Sequence, residues 1–275
     1  MNVISDDEFC AVIRDDTAGL AEIVTGGPGA DRPSRLAHPV PACPDWTFKQ
    51  LATHVGRGHR WAAEIVATRS AENIPIREVP DGRFPDDPAA QADWVNAGAA
   101  RVVDAVGEDP TALVWTLTGI HPASWWARRR AHEVAVHLAD ARFAVGEDVA
   151  AVTAGTSYRS AGLAADAVDE WLGLIAAGSL GTTEAMRSRG SAAGGDGQTL
   201  HFHATDDGLD GAGEWLVRRD GSGITVESGH AKAGVAVRGP AAVLLFVLLQ
   251  RLPPEHAEIL GDRSLLDHWL GSTRF

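Results

Sequence analysis

The stretch AHEVAVH, residues 131–137, sets two histidines and a glutamate among alanines and valines, and imidazole with carboxylate is a donor set for a divalent metal. The His-Glu-x-x-His pattern of zinc proteases needs its histidines four apart, with the glutamate free as a base. Here His132 and His137 are five apart, so at about 100° per residue they diverge by roughly 140° around a helix. Glu133 and His137 are an i, i+4 pair and share a face. The motif therefore offers two candidate ligands and leaves His132 to one side.

The elements that must position this pair can be read from periodicity and capping. Ser5 precedes Glu8 by three residues, a capping box, and Phe9, Val12, Ile13, Leu20, Ile23 and Val24 follow at helical spacing, which predicts a first amphipathic helix. A Gly/Pro-rich loop, TGGPGADRPSRLAHPVPACPDW, ends where Thr47 and Gln50 form a second capping box. The second helix, FKQLATHVGRGHRWAAEIVATR, places His54 on the apolar face of Leu51, Val55, Gly58, Ala62 and Ile65, pointing inward. A Pro-punctuated stretch from Ala71 to Pro88 leads to a third helix, AAQADWVNAGAARVVDAV. The fourth, from near Pro122, carries the opening motif, and a fifth runs from about Thr156 to Ile175. The segment AAGSLGTTEAMRSRGSAAGGDG has the composition of a linker.

Beyond it the period changes to two. QTLHFHAT, GEWLVRRD and GITVESG alternate and are separated by turn residues, as antiparallel strands would be; a short strand, AGVAVRG, then leads into the apolar helix AAVLLFVLLQRL and a closing DRSLLDHWL. Helices first and strands later predict an all-α domain over residues 1–178, then a linker and a small α+β domain over 179–275.

Composition narrows the function. A chain of 275 residues, 45% hydrophobic, can bury real cores. With a formal net charge of -13 and only the short basic run Arg128-Arg129-Arg130, it has no track for a phosphate backbone, so no nucleic-acid partner is expected. No apolar run approaches a membrane span and the N-terminus lacks a signal-peptide pattern, so no membrane partner and a cytoplasmic location are expected. Cys10 and Cys43 are too few for a disulfide framework and are read as reduced thiols.

Four helices with loops of varied length suggest a bundle, whose interior can hold a metal on facing helices. His54 would add a third ligand to Glu133 and His137, and three protein ligands with a fourth position open is the catalytic zinc arrangement. Spacing alone leaves equally open that these are polar residues that merely face inward.

A resemblance bears on that choice. VPACPDWTFKQLATHVGRGHRWA together with WWARRRAHEVAVHLADA resembles the mycothiol-dependent maleylpyruvate isomerase family, in which a Val-Pro-x-Cys-Pro-x-Trp segment leads into a histidine-bearing helix and an Arg-x-x-His-Glu-x-x-x-His helix follows. LHFHATDDGLDGAGEWLVRRDG, VRGPAAVLLFVLLQR and LGDRSLLDHWL resemble the same family's C-terminal domain, so the likeness spans nearly the whole chain. It implies a DinB-like four-helix bundle, then a sterol-carrier-like α+β domain. It also implies a divalent metal, zinc being the expected ion, on His54, Glu133 and His137, and mycothiol as a low-molecular-weight thiol cofactor bound through sulfur at the open position. Arg251 matches a family arginine that meets an acidic substrate or cofactor. The implied activity is cis-trans isomerisation or thiol S-transfer on a small molecule.

Around the trio, His59 and His132 are expected to face solvent, although either could relay protons. Asp140, three residues after His137, either orients an imidazole or is a surface carboxylate. Cys43, between Ala42 and Pro44 with no local base, is not read as a nucleophile. The nine tryptophans are read as core and pocket-wall residues. Two other function classes stay open: a metal-dependent hydrolase, which would need a carboxylate or histidine as a base beside the metal, a role His59 or His132 could fill, and a non-catalytic binding module, which would need a fourth protein ligand.

Overall fold

The computed structural model describes residues 4–26, 35–178, 197–209, 211–221 and 223–273. It divides into two compact units, Ile4–Ser157 and the chain from Tyr158 onward. The segment read as a linker lies, from 179 to 196, outside the described residues.

The first unit is built on four long helices: α1 (Asp6–Thr25), α2 (Phe48–Ala67), α3 (Pro88–Glu108) and α4 (Ser124–Ala144). Both predicted capping boxes form. Glu8 returns to the Ser5 N–H at 2.8 Å, and Gln50 to that of Thr47 at 3.0 Å, each satisfying a donor that a helix start leaves free. Asp87 caps α3 with Pro88 in its first turn, and Gly26 closes α1 in the left-handed conformation (φ 88°). α1 packs on α3 and α4, and α2 on α3. Their shared core includes Leu20, Phe48, Leu51, Val55, Val95, Val134 and Leu138.

Two glycines set the distance between α2 and α3. A Cβ on Gly98 would stand 2.9 Å from the backbone oxygen of Gly56, and one on Gly56 would stand 2.3 Å from the Trp94 ring. Arg60 lies over Trp94, 4.1 Å from the ring centroid, and donates to Gly56 O and Trp94 O.

Periodicity gave no sign of the hairpin β1 (Leu113–Thr116) and β2 (Gly119–Pro122), whose four-residue strands are too short to alternate visibly. The hairpin starts α4, which lacks a side-chain cap: Ala123 N donates to Ala112 O and Ser124 N to Pro110 O. The single helix expected from Thr156 to Ile175 is instead a short α5 (Val149–Ala154), a 3₁₀ turn at Ser157–Arg159, and α6 (Ala161–Ala176) capped by Ser160.

In the second unit, α6 packs on α7 (Ala241–Leu248) and on β5, which is why contacts divide the chain at 157 whereas composition changes near 178. The sheet runs β5 (Gly223–Ser228), β4 (Glu214–Asp220), β3 (Gln198–Ala204), β6 (Val235–Gly239), β7 (Glu258–Gly261), and α8 (Arg263–Ser272) follows. The β3–β4–β5 meander is antiparallel as expected; β6 joins β3 in parallel, and β7, another four-residue strand without sequence signal, completes the edge. Leu200, Phe202, Trp215, Val217, Val235 and Val237 are buried on one face of the sheet, and on the other His201 and Leu216 are buried as well.

Candidate metal centre

α2 and α4 bring His54, Glu133 and His137 together, with one donor atom from each inside 4.8 Å of the others. Glu133 Oε1 lies 2.8 Å from His54 Nε2 and 3.6 Å from His137 Nε2. The other oxygen, Oε2, accepts from Arg129 Nη2 at 2.6 Å, one helical turn away. Side-chain exposure runs 39% for His54, 22% for Glu133 and 10% for His137, so the trio opens to solvent on the His54 side. His54 is thus at the rim, not directed fully inward as its helical face predicted, because the α2 stripe ends at the bundle's edge.

Asp140 is completely buried and accepts from His137 Nδ1 at 2.9 Å. This resolves its two readings: the carboxylate fixes the ring so that Nε2 points at Glu133. The loop VPACPDW is tied by hydrogen bonds from Cys43 N to Val40 O, Trp46 N to Cys43 O and Val40 N to Trp46 O, with Asp45 at φ 70°. It places the Trp46 ring against both imidazoles, 5.0 Å from His54 and 6.1 Å from His137 between centroids. Trp46 is a site residue that periodicity could not reveal, since it precedes the helix.

The same loop brings Cys43 Sγ to 3.6 Å from Asp140 Oδ2. Cysteine, histidine and aspartate in one group suggest a nucleophile triad, but here one Asp140 oxygen gathers both the thiol and the imidazole. A triad sets thiol and acid on opposite ring nitrogens. Cys43 groups with His137 and Asp140 and not with the full trio, so it supplies no fourth ligand there.

His59 and His132, expected at the surface, are buried. Arg130 donates to His59 Nδ1 at 3.3 Å, and the opposite Nε2 meets Thr17 Oγ1 of α1 at 3.0 Å, so both ring nitrogens are engaged within the bundle. His132 packs edge-on against Phe9. His132 lies on α4, which is buried on nearly all sides, and His59 lies on the inner side of α2, where α4 and α1 supply its partners.

Burial pushes the His54 pKa down against the opposing pull of its bond to Glu133. For Glu133, burial favours the neutral acid, but the Arg129 charge and the bonds from His137 and His54 outweigh it and hold the carboxyl well below its usual range. For His137 burial opposes the charged form, yet the contacts with Asp140, Cys43 and Glu133 hold its pKa well above the ordinary value. Anionic Glu133 and neutral His54 are already the ligand forms a metal requires; His137 must give up its proton, so metal uptake should strengthen as pH rises. If the trio holds an ion, replacing Asp140 with asparagine should weaken its binding about 10–100-fold, the cost of losing a partner that orients a ligating histidine. Competition against a chromophoric chelator measures this, and unchanged affinity would contradict the role given to Asp140.

Arg251 belongs to the second unit, where Nη1 donates to Leu249 O and the side chain lines a cleft of about 400 Å³ with Arg263 and Asp267. Among the described residues no helix is long and apolar enough to cross a membrane.

Comparison with known proteins agrees with this architecture in both halves. Residues 17–142 match the model of the mycothiol maleylpyruvate isomerase N-terminal domain, and residues 162–268 match that of the MDMPI C-terminal domain. Crystal structures of mycothiol-dependent maleylpyruvate isomerase and of a histidine-to-alanine mutant of it are similar in fold, with TM-scores of 0.54 and 0.55 at 16% identity, over 93% of this chain and 92% of those. No curated protein matches the sequence. Two consecutive domain matches that together span most of the chain, on a fold that agrees along its length, place it in one group of enzymes: the chain belongs to the mycothiol-dependent maleylpyruvate isomerase family.

Proposed function

We propose that this chain is a metal-dependent enzyme that uses the thiol of mycothiol for cis-trans isomerisation or S-transfer on a small molecule, with His54, Glu133 and His137 holding the divalent ion. The observation that carries this reading is the convergence of two imidazole nitrogens on one carboxylate oxygen, at 2.8 and 3.6 Å, on a face open to solvent. The donor set, two nitrogens and one oxygen, suits zinc with a position to spare. When bound, the ion would favour thiolate over thiol, and mycothiol would supply sulfur for reversible addition to an activated alkene or displacement of a leaving group.

The chain's own residues do the rest. Glu133, fixed through Oε2 by Arg129, presents Oε1 toward both histidines. Asp140 holds His137 in register from behind. Trp46 covers one side of both imidazoles and excludes water there. Arg251 is assigned to an acidic group of substrate or cofactor, for which a guanidinium fork is suited; the family resemblance supports this role. Zinc as the ion and the cytoplasm as the location belong to the same proposal.

For the hydrolase alternative, the engagement of His59 and the packing of His132 within the bundle argue against either histidine serving as the base beside the ion. The test is calorimetric titration of mycothiol into metal-loaded protein, before and after chelation. Binding that disappears with the metal is the expected result; binding that survives chelation, or none to the loaded chain, would overturn the thiol assignment.

A further inference from the structure

A second group of ligand-type side chains lies in the C-terminal unit and is not used by the proposed reaction. His201 and His203 sit two apart on β3 and so share a face of the sheet; Glu214 on β4 is the direct cross-strand partner of His203. His230 follows β5 and is brought to the same place because Gly229 N donates to Glu214 O at 3.0 Å. The three imidazoles converge on one atom. Glu214 Oε2 is 2.6 Å from His230 Nδ1, 3.1 Å from His201 Nε2 and 3.8 Å from His203 Nδ1, and all four donor atoms lie within 4.8 Å of one another. Donors around a tetrahedral zinc at about 2.0–2.1 Å stand roughly 3.3 Å apart, so these separations bracket those of an occupied site.

Two further observations favour an ion over a hydrogen-bonded web. The rings stand near-perpendicular to one another, at 75°, 86° and 87°, as ligands approaching a common point do, and none is stacked on another. His201, with a side chain 3% exposed, has its Nε2 buried, and despite lying 3.1 Å from the carboxylate oxygen that nitrogen makes no hydrogen bond to any described residue. A buried nitrogen without a hydrogen bond is costly, and it lies within 4.8 Å of the other three donor atoms.

We propose that His201, His203, Glu214 and His230 form a second divalent-metal site, an N₃O set suited to zinc or another late first-row dication, which pins the residues after β5 to the adjoining ends of β3 and β4. Four protein ligands make it a closed site of the structural kind, distinct from the three-ligand bundle site. His230, with its side chain 75% exposed, is the ligand whose removal should least disturb the fold.

The test is a cobalt titration of the chelator-stripped full-length chain, followed by the visible d–d bands. In a His137→Ala chain, where the bundle site is disabled, one equivalent of cobalt should still bind. Loss of an outer-shell partner weakens metal sites about 10–100-fold, so adding His230→Ala, which removes a ligand itself, should weaken this remaining ion by at least about 100-fold. His203→Ala in the same background should do likewise, and unchanged circular dichroism would show that the fold persists. No cobalt bound by the His137→Ala chain, or an ion indifferent to both further substitutions, would overturn the proposal. Failure of the bundle reading has a different signature: parent and His137→Ala chains would bind equal amounts of cobalt.

Discussion

A His137→Ala chain is expected to emerge from purification with one metal ion fewer than its parent and without thiol-dependent turnover, the two losses falling together. His137 is the most buried of the three bundle ligands and the only one with a buried carboxylate fixing its far nitrogen. Removing it takes away a donor and leaves Asp140 buried without the imidazole. Since an outer partner alone is worth about 10–100-fold in metal affinity, the ligand itself should be worth at least about 1,000-fold. His54→Ala should act in the same direction. His132→Ala is the control: it keeps the ion, because its ring packs on Phe9, but emptying a buried position should cost about 2–4 kcal/mol of stability. Elemental analysis beside a thermal melt separates these outcomes, and a His137→Ala chain with the parent's metal content would sink the ligand assignment.

A stability effect of similar size is expected at a position that is no ligand, Gly98. A Cβ there would meet the Gly56 backbone oxygen at 2.9 Å and an Arg60 Nη1 at 2.8 Å, and the first of these cannot swing aside. Gly98→Val must push α3 off α2 and disturb the Arg60–Trp94 contact. Overpacking of this kind costs about 3 kcal/mol, which corresponds to a fall in Tm of about 6–12 °C for a unit of this size. Gly107, on the same helix, has nothing within 4 Å of an added Cβ, so Gly107→Ala should leave the melt nearly unchanged. A Gly98→Val melt within about 2 °C of the parent would show that the helices are not held at contact by these glycines.

What could be read in the sequence, and what could not, follows from the range of the interactions concerned. Glu133 and His137 pair within one helix, so the 3.6-residue period places them on one face without knowledge of the fold. His54 needed α2 to face α4, and it came from the family motifs together with its helical face, which overstated its burial. The capping boxes at Ser5 and Thr47 are contained in four residues each and formed as read. Asp140, three residues after His137 on the same helix, is named from spacing with its burial left open, whereas Trp46 and the Arg130–His59–Thr17 chain depend on contacts between elements far apart in sequence, which periodicity does not encode. His59 and His132 were misplaced for a related reason: a polar residue is assigned to water by default, whereas α4 is enclosed around His132 and the buried side of α2 gives His59 partners on α1 and α4. The hairpin β1–β2 and strand β7 escaped because four residues give only two repeats of a two-residue period.

The clamp of Arg129 on one oxygen of Glu133 has a consequence for which sulfur compounds the bundle site would accept. With Oε2 committed, the carboxylate has a single oxygen to give, and the ligand set is one anion and two neutral rings. With the Arg129 cation on Oε2 and Arg130 4.0 Å from Oε1, a dication held there leaves the pocket net positive even with the Asp140 carboxylate behind His137. An anion at the vacant position would offset that charge in a pocket partly shielded from water, where residual charge is expensive. Neutral donors would leave the charge standing. The first filter on what enters is then electrical, applied before the shape of the thiol or its substrate is felt.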